Sequence, residues 1–175
     1  MDLPGSAYLY NLSILGISYS VVAALVMLLR QTMGGRLSNF DVYLIGAYVS
    51  FGFVIAFDAV LPPLAAALGL LPPLLWPVAS IVAAAIMAAN LYGAIGNRRR
   101  ASPTPISGAV MFSFALHGLV VVLLLVNVAA SPVQGVGLFA AALTLCLGNM
   151  MWVFVRRITS LIGATPGEDW DPGRL

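Results

Sequence analysis

Five runs of apolar side chains, at about 8–30, 40–61, 76–96, 106–129 and 133–155, occupy most of the chain, and short polar stretches separate them. At about 1.5 Å rise per residue, a helix of about 20 residues matches the thickness of a bilayer's hydrocarbon core. A helix is the form such a run takes in lipid, because its N–H and C=O groups are paired within the segment. The pattern predicts an all-α membrane protein, a bundle of five transmembrane helices in one domain over 1–162, followed by a short polar tail over 163–175. The stretch before the first run, MDLPGSA, lacks the basic n-region and cleavage site of a secretory signal, so the first run is expected to stay as a helix.

The gaps carry turn chemistry. Gly34 and Gly35 follow Arg30 at a place where a helix is expected to end. Ser38, Asn39, Phe40 and Asp41 then form an S-x-x-D start, with Ser38 as cap and Asp41 on the positive end of the helix dipole, a structural use of that carboxylate. The second run meets the motif LPPL at 61–64, and LPPL recurs at 71–74. Proline has no N–H and clashes with the preceding turn, so each pair is expected to break or redirect a helix. Leu64 to Leu70, too short to span, is then a Pro-rich interfacial turn between helices two and three. The third run ends at Asn97, the fourth starts after SPTP near Ile106, and Ser131 and Pro132 turn it into the fifth.

Composition names the solvent. The chain is 61% hydrophobic and 8% charged, with a mean hydropathy of +1.02, whereas soluble domains carry about 25% charged residues. Charge then supplies direction. Arg30, Arg36, Arg98, Arg99, Arg100, Arg156, Arg157 and Arg174 all follow the first, third or fifth run. Basic residues close to span ends mark the cytoplasmic side, which places the N-terminus out and the C-terminus in, in a bacterial-type inner (plasma) membrane. The Arg98–Arg100 cluster reads as a stop on the inner leaflet, with anionic-lipid contact as a second role. A net charge of +2 is accounted for by topology, and no soluble basic face is left for nucleic acid.

Aromatic positions fit the same frame. Tyr8, Tyr10 and Trp76 fall at outer ends, and Tyr43, Tyr92 and Trp152 near inner ends, where interfacial belts form. Small residues at four-residue spacing (Gly16, Ser20, Ala24; Ser80, Ala84, Ala88; Ala140, Thr144, Gly148) allow helices to approach closely and are expected to pack the bundle, with self-association as a lesser use.

Ionisable residues inside spans are costly and usually face a partner or a cavity. Two stand out, Asp58 in the second run and His117 near the centre of the fourth. Reading each helix in its inferred direction puts Asn11, Asp58 and Asn127 in an outer layer and Asn90 and Asn149 in an inner one. His117 lies between, with Ser113 one turn inward on its own face. Two readings stay open. Asp58 and His117 with intervening hydroxyls form part of a proton or small-solute path, or Asp58 is held by Asn11, Asn127 or interfacial water while His117 is a neutral packing residue.

Enzyme signatures are missing: no G-x-S-x-G, H-E-x-x-H, P-loop or paired cysteines occur. An Asp58–His117 dyad would require adjoining helices that bend to close the axial gap. Haem ligation by His117 would usually need a second axial ligand, and Met87, Met111, Met150 and Met151 show no diagnostic spacing with it. No cofactor, metal or catalytic activity is expected. The lipid bilayer is the expected surrounding, with a membrane-protein partner or a second copy as the expected contact. The first function class is a non-catalytic accessory or scaffold subunit of a membrane complex, to which the polar tail around Trp170 would add a contact. The second is a small transporter or channel using the polar site of Asp58, His117, Asn11, Asn127 and Ser113.

Overall fold

The structure, a computed structural model, describes residues 3–32, 39–102 and 104–162. The expected Gly34–Gly35 stop, the Ser38 cap and the 163–175 tail lie outside these residues. Every regular element described is helical. Helix α1 is Ser6–Thr32, α2 is Asn39–Ala67 and α3 is Pro72–Ala101. Helical backbone then runs from Gly108 to Ile162, 55 residues, which as one straight rod would be about 80 Å long.

That rod does not exist. The side chain of Asn149 bonds Ser113, 36 residues away, and Asn127 bonds the carbonyl of Gly135, 8 residues away. In a straight helix those pairs stand about 54 Å and 12 Å apart along the axis. The backbone reverses around Ser131 and Pro132, giving two antiparallel spans, α4 (Gly108–Ala130) and α5 (Gly135–Arg156). All five helices are long and apolar enough to cross a membrane, so the chain is an all-helical, multi-pass membrane protein whose outer surface suits lipid.

The two LPPL motifs behave differently from each other and, in one case, from expectation. Pro62 and Pro63 do not stop α2; they sit within it, and the helix continues to Ala67. Each internal proline deprives one carbonyl, of Asp58 or Ala59, of its usual donor four residues on. Ending the helix at Leu61 would have freed its last four carbonyls at once, so carrying on to a properly capped end costs less in lipid. That end is a Schellman motif: Leu70 N donates to Ala65 O (3.0 Å) and Gly69 N to Ala66 O (3.0 Å). Gly69 adopts φ +87°, which a residue without Cβ tolerates. The turn between α2 and α3 is therefore at Leu68–Leu71. The second proline pair opens α3, with Leu71 as N-cap, where the missing N–H is no loss.

Close backbone contact joins α1 to α2. A Cβ on Gly52 would lie 2.7 Å from Gly16 O, and one on Gly16 would lie 2.8 Å from Gly52 O. Ser20 Oγ spans the same crossing, donating to Gly16 O (3.1 Å) or Val49 O (3.3 Å). In lipid, association rests on such packing and on interhelical hydrogen bonds rather than on water exclusion. Tyr19, Tyr48 and Phe154 meet edge to face at 5.4 to 6.2 Å and join α1 and α2 to α5. At the opposite end Trp76 of α3 lies against Gly135, where a Cβ would come within 2.6 Å of the ring, and beside Phe139 at 5.9 Å. The third small-residue stripe does not pack the bundle in this way: Thr144 and Gly148 are exposed, and a Cβ on Gly148 would meet nothing. Ala88 is likewise exposed. Thr144 and Gly148 turn outward because α5 meets its neighbours through Phe139, Leu143, Cys146 and Met150 instead.

Candidate functional site

The α4–α5 hairpin builds the central polar cluster. With the reversal near residue 131, antiparallel partners are residues whose numbers sum to roughly the same value, and this sets Ser113 and His117 opposite Asn149. Asn149 Nδ2 lies 3.1 Å from Ser113 O, 3.0 Å from Ser113 Oγ and 2.9 Å from His117 Nδ1. His117 Nδ1 is also 2.8 Å from Ser113 O. A neutral imidazole has one N–H. If Nδ1 carries it, that N–H donates to Ser113 O; if not, Nδ1 accepts from Asn149 Nδ2. In both tautomers the other nitrogen, Nε2, is buried with no hydrogen-bond partner among the described residues, as is Asn149 Oδ1. Phe51 of α2 covers the ring, with centroids 4.3 Å apart.

His117 and Ser113 line the deep end of a slot of about 70 Å³ between α2, α4 and α5. Apolar side chains form its walls, among them Leu44, Ala47, Phe114 and Met150, and its other end is marked by Arg98 and Arg156. The three consecutive arginines of α3 are thus not equivalent. Arg99 and Arg100 are exposed, whereas Arg98 is 3% exposed. Its guanidinium lies over Phe40, 4.8 Å from the ring centroid, and donates to Ser102 O (3.1 Å) and Thr104 Oγ1 (3.4 Å). Nε has no partner among the described residues. Both acceptors are neutral, so a buried cation stands at the slot without a carboxylate beside it among those residues.

Asp58 is 0% exposed, and neither carboxyl oxygen has a hydrogen-bond partner among the described residues. It is not held by Asn11 or Asn127. Asn11 is exposed, because that face of α1 turns away from α2. Asn127 instead ties three helices together, its Nδ2 lying 2.9 Å from Ser80 Oγ of α3 and 2.9 Å from Gly135 O. The expected outer layer of Asn11, Asp58 and Asn127 is three separate environments. The inner pair separates too: Asn90 accepts from Ser50 between α2 and α3, while Asn149 serves the hairpin. Asp58 does not line the slot; it follows Phe51 by seven residues, about 10 Å further along α2.

Of the expected site, the structure joins His117 and Ser113 and leaves Asp58, Asn11 and Asn127 apart. Two participants were not foreseen in these roles. The level of Asn149, opposite Ser113 and His117, follows from the position of the Ser131–Pro132 turn once the fourth and fifth runs are paired about it; that it faces His117 does not. The burial of Arg98 had no signal in a cluster of three identical residues. Among the described residues no group of three or more His, Cys, Asp or Glu is placed to hold a metal ion. No family model, curated protein or solved structure matches the chain.

Proposed function

We propose that this chain is a small, non-catalytic transporter of a bacterial-type inner membrane that takes its solute from the cytoplasmic side. The observation that carries the reading is the slot that starts at Arg98 and Arg156 and ends on His117 and Ser113, beside a His117 Nε2 that is buried and has no hydrogen-bond partner among the described residues. Buried polar atoms without partners are uncommon, because each costs about 1–3 kcal/mol, and they are retained where a ligand or proton supplies the missing bond. The positive-inside rule sets the arginine end in the cytoplasm and the N-terminus outside. Phe51, packed at a tilt against the His117 ring, is the barrier in this reading, and Asp58 beyond it is a second station.

The test is thiol accessibility. In a Cys146→Ser background, Val110→Cys, on the wall of the slot, is expected to react with a membrane-impermeant reagent added from the cytoplasmic side, and Leu124→Cys is not. A thiol at position 110 that is inert from both sides removes the reading. In proteoliposomes, flux of protons or of a tested solute is expected to fall in His117→Ala and Asp58→Asn.

A second reading, an accessory subunit, is favoured by one feature. A groove of about 530 Å³ runs between α2 and α3, lined by Gly46, Ala47, Ser50, Asn90 and Gly93, small residues of the kind that admit a partner helix. A stoichiometric partner that shields Gly93→Cys from modification would support it.

A further inference from the structure

We infer that the groove between α2 and α3 holds one anionic glycerophospholipid of the leaflet on the arginine side, with its phosphate at Arg100 and one acyl chain lying in the groove as far as the Ser50–Asn90 pair. The site is separate from the slot and rests on neither functional reading.

Length gives the first argument. The groove is lined from Asn39 to Ser50 on α2 and from Arg100 back to Asn90 on α3, about 15 Å along either helix. That is one leaflet's share of a hydrocarbon core of about 30 Å. A partner helix crossing the membrane would need a seat through both leaflets, whereas a lipid chain ends where the groove ends. Volume agrees with length. An extended chain with bonds of about 1.5 Å covers the groove with about twelve carbons. At about 30 Å³ per heavy atom, a water's share of liquid volume, those carbons and a phosphate group take about 500 Å³. The groove offers about 530 Å³. The second chain and the rest of the headgroup stay in the surrounding leaflet. Two glycines keep this space open: a Cβ on Gly46 or on Gly93 would meet nothing within 4 Å, so the helices stand apart here instead of closing as α1 and α2 do at Gly16 and Gly52.

Charge gives the second. Asn39, Asn97 and Arg100 line the end of the groove at headgroup level, and all three are exposed. The guanidinium supplies charge-assisted hydrogen bonds to a phosphate, and the two amides are further donors. No Asp or Glu is among the lining residues, so the ammonium of a zwitterionic headgroup finds no partner there. Deeper in, Val42, Ala47 and Ala94 give apolar walls. At the far end the polar groups serve each other rather than the chain: Ser50 donates to Asn90, and Asn90 Nδ2 is buried.

The test uses the full chain in micelles containing equal amounts of phosphatidylglycerol and phosphatidylcholine, with the retained lipid counted by native mass spectrometry. One phosphatidylglycerol per chain is expected, favoured about fivefold over phosphatidylcholine, the effect of one arginine beside an anionic lipid. Arg100→Gln should remove that preference. Arg99→Gln, at an exposed neighbour outside the groove, should keep it. Gly93→Leu fills the groove and should expel the bound lipid; the wild-type comparison and the two arginine variants stand even if it fails to fold. Equal retention of the two lipids, equal effects of the two arginine variants, or unchanged retention in a folded Gly93→Leu would overturn the inference. Displacement by inorganic phosphate would overturn the lipid in favour of a free anion, and a stoichiometric protein found in its place would overturn it in favour of a docked helix.

Discussion

Replacement of Gly52 by alanine adds one methyl group at the tightest crossing in the bundle. Its Cβ would overlap Ser20 Oγ and stand 3.3 Å from Ser20 Cβ and 2.7 Å from Gly16 O. The serine can rotate away, at the loss of an interhelical hydrogen bond of about 0.6 kcal/mol, up to about 1.7. The carbonyl of Gly16 is backbone in mid-helix and cannot, so α1 has to back off from α2, an overpacking cost of about 1–3 kcal/mol. Alanine's better helix propensity returns about 1 kcal/mol. The net expectation is a loss of about 1–3 kcal/mol, or roughly 5- to 150-fold in the folded-to-unfolded ratio. Reversible unfolding in mixed micelles measures it against Gly148→Ala, where a Cβ meets nothing within 4 Å. That control should be neutral or slightly more stable. If Gly52→Ala matches Gly148→Ala, the α1–α2 contact does not depend on glycine, and close approach is not what joins these two helices.

Three further outcomes follow from the geometry. Asn149→Leu leaves Ser113 O as the sole partner of His117 Nδ1 among those described and should fix the proton there, so the nitrogen NMR shifts of the single histidine should move toward a pure Nδ1–H tautomer; unchanged shifts would mean that Asn149 does not govern the ring. Asp58→Leu removes no hydrogen bond among the described residues and relieves a buried polar group, so stability should hold or rise by about 1–3 kcal/mol, and a fall of that size would reveal an interaction on which the carboxyl depends. A reporter fused after Leu175 should be active as a cytoplasmic fusion, and a periplasmic reporter signal would reverse the assigned orientation.

Much of the architecture was legible because lipid imposes so few solutions. Runs of about 20 apolar residues become helices whatever their neighbours do, since unpaired backbone is intolerable there. The proline motifs show where this local reading stops. The same four residues, LPPL, lie inside the last turns of α2 and at the first turn of α3. Nothing within the motif separates the two uses. What separates them is the distance to the glycine at 69, which offers α2 a capped end that Leu61 lacks. The polar site was harder to read. Depth along a helix follows from counting residues, and it put Asp58, Asn127 and Asn11 at related levels. Facing depends on which side of each helix the bundle covers, and there Asn11 turns outward while Asn127 turns to Ser80.

The sequence by itself determined the helices, their number, their lipid surroundings and the marking of one membrane side by arginine, because each rests on local properties: backbone pairing, apolar length and charge next to a span. Only the tertiary structure decided that His117 meets Asn149, that Arg98 is buried while Arg99 and Arg100 are not, and that Asp58 is left without a partner among the described residues. Those facts depend on the rotation of each helix about its own axis. In a bilayer a helix that is apolar on every side gains no hydrophobic energy from one rotation over another, so its rotation is set by close contacts such as Gly16 on Gly52 and by a few hydrogen bonds, which no single helix carries in its own sequence.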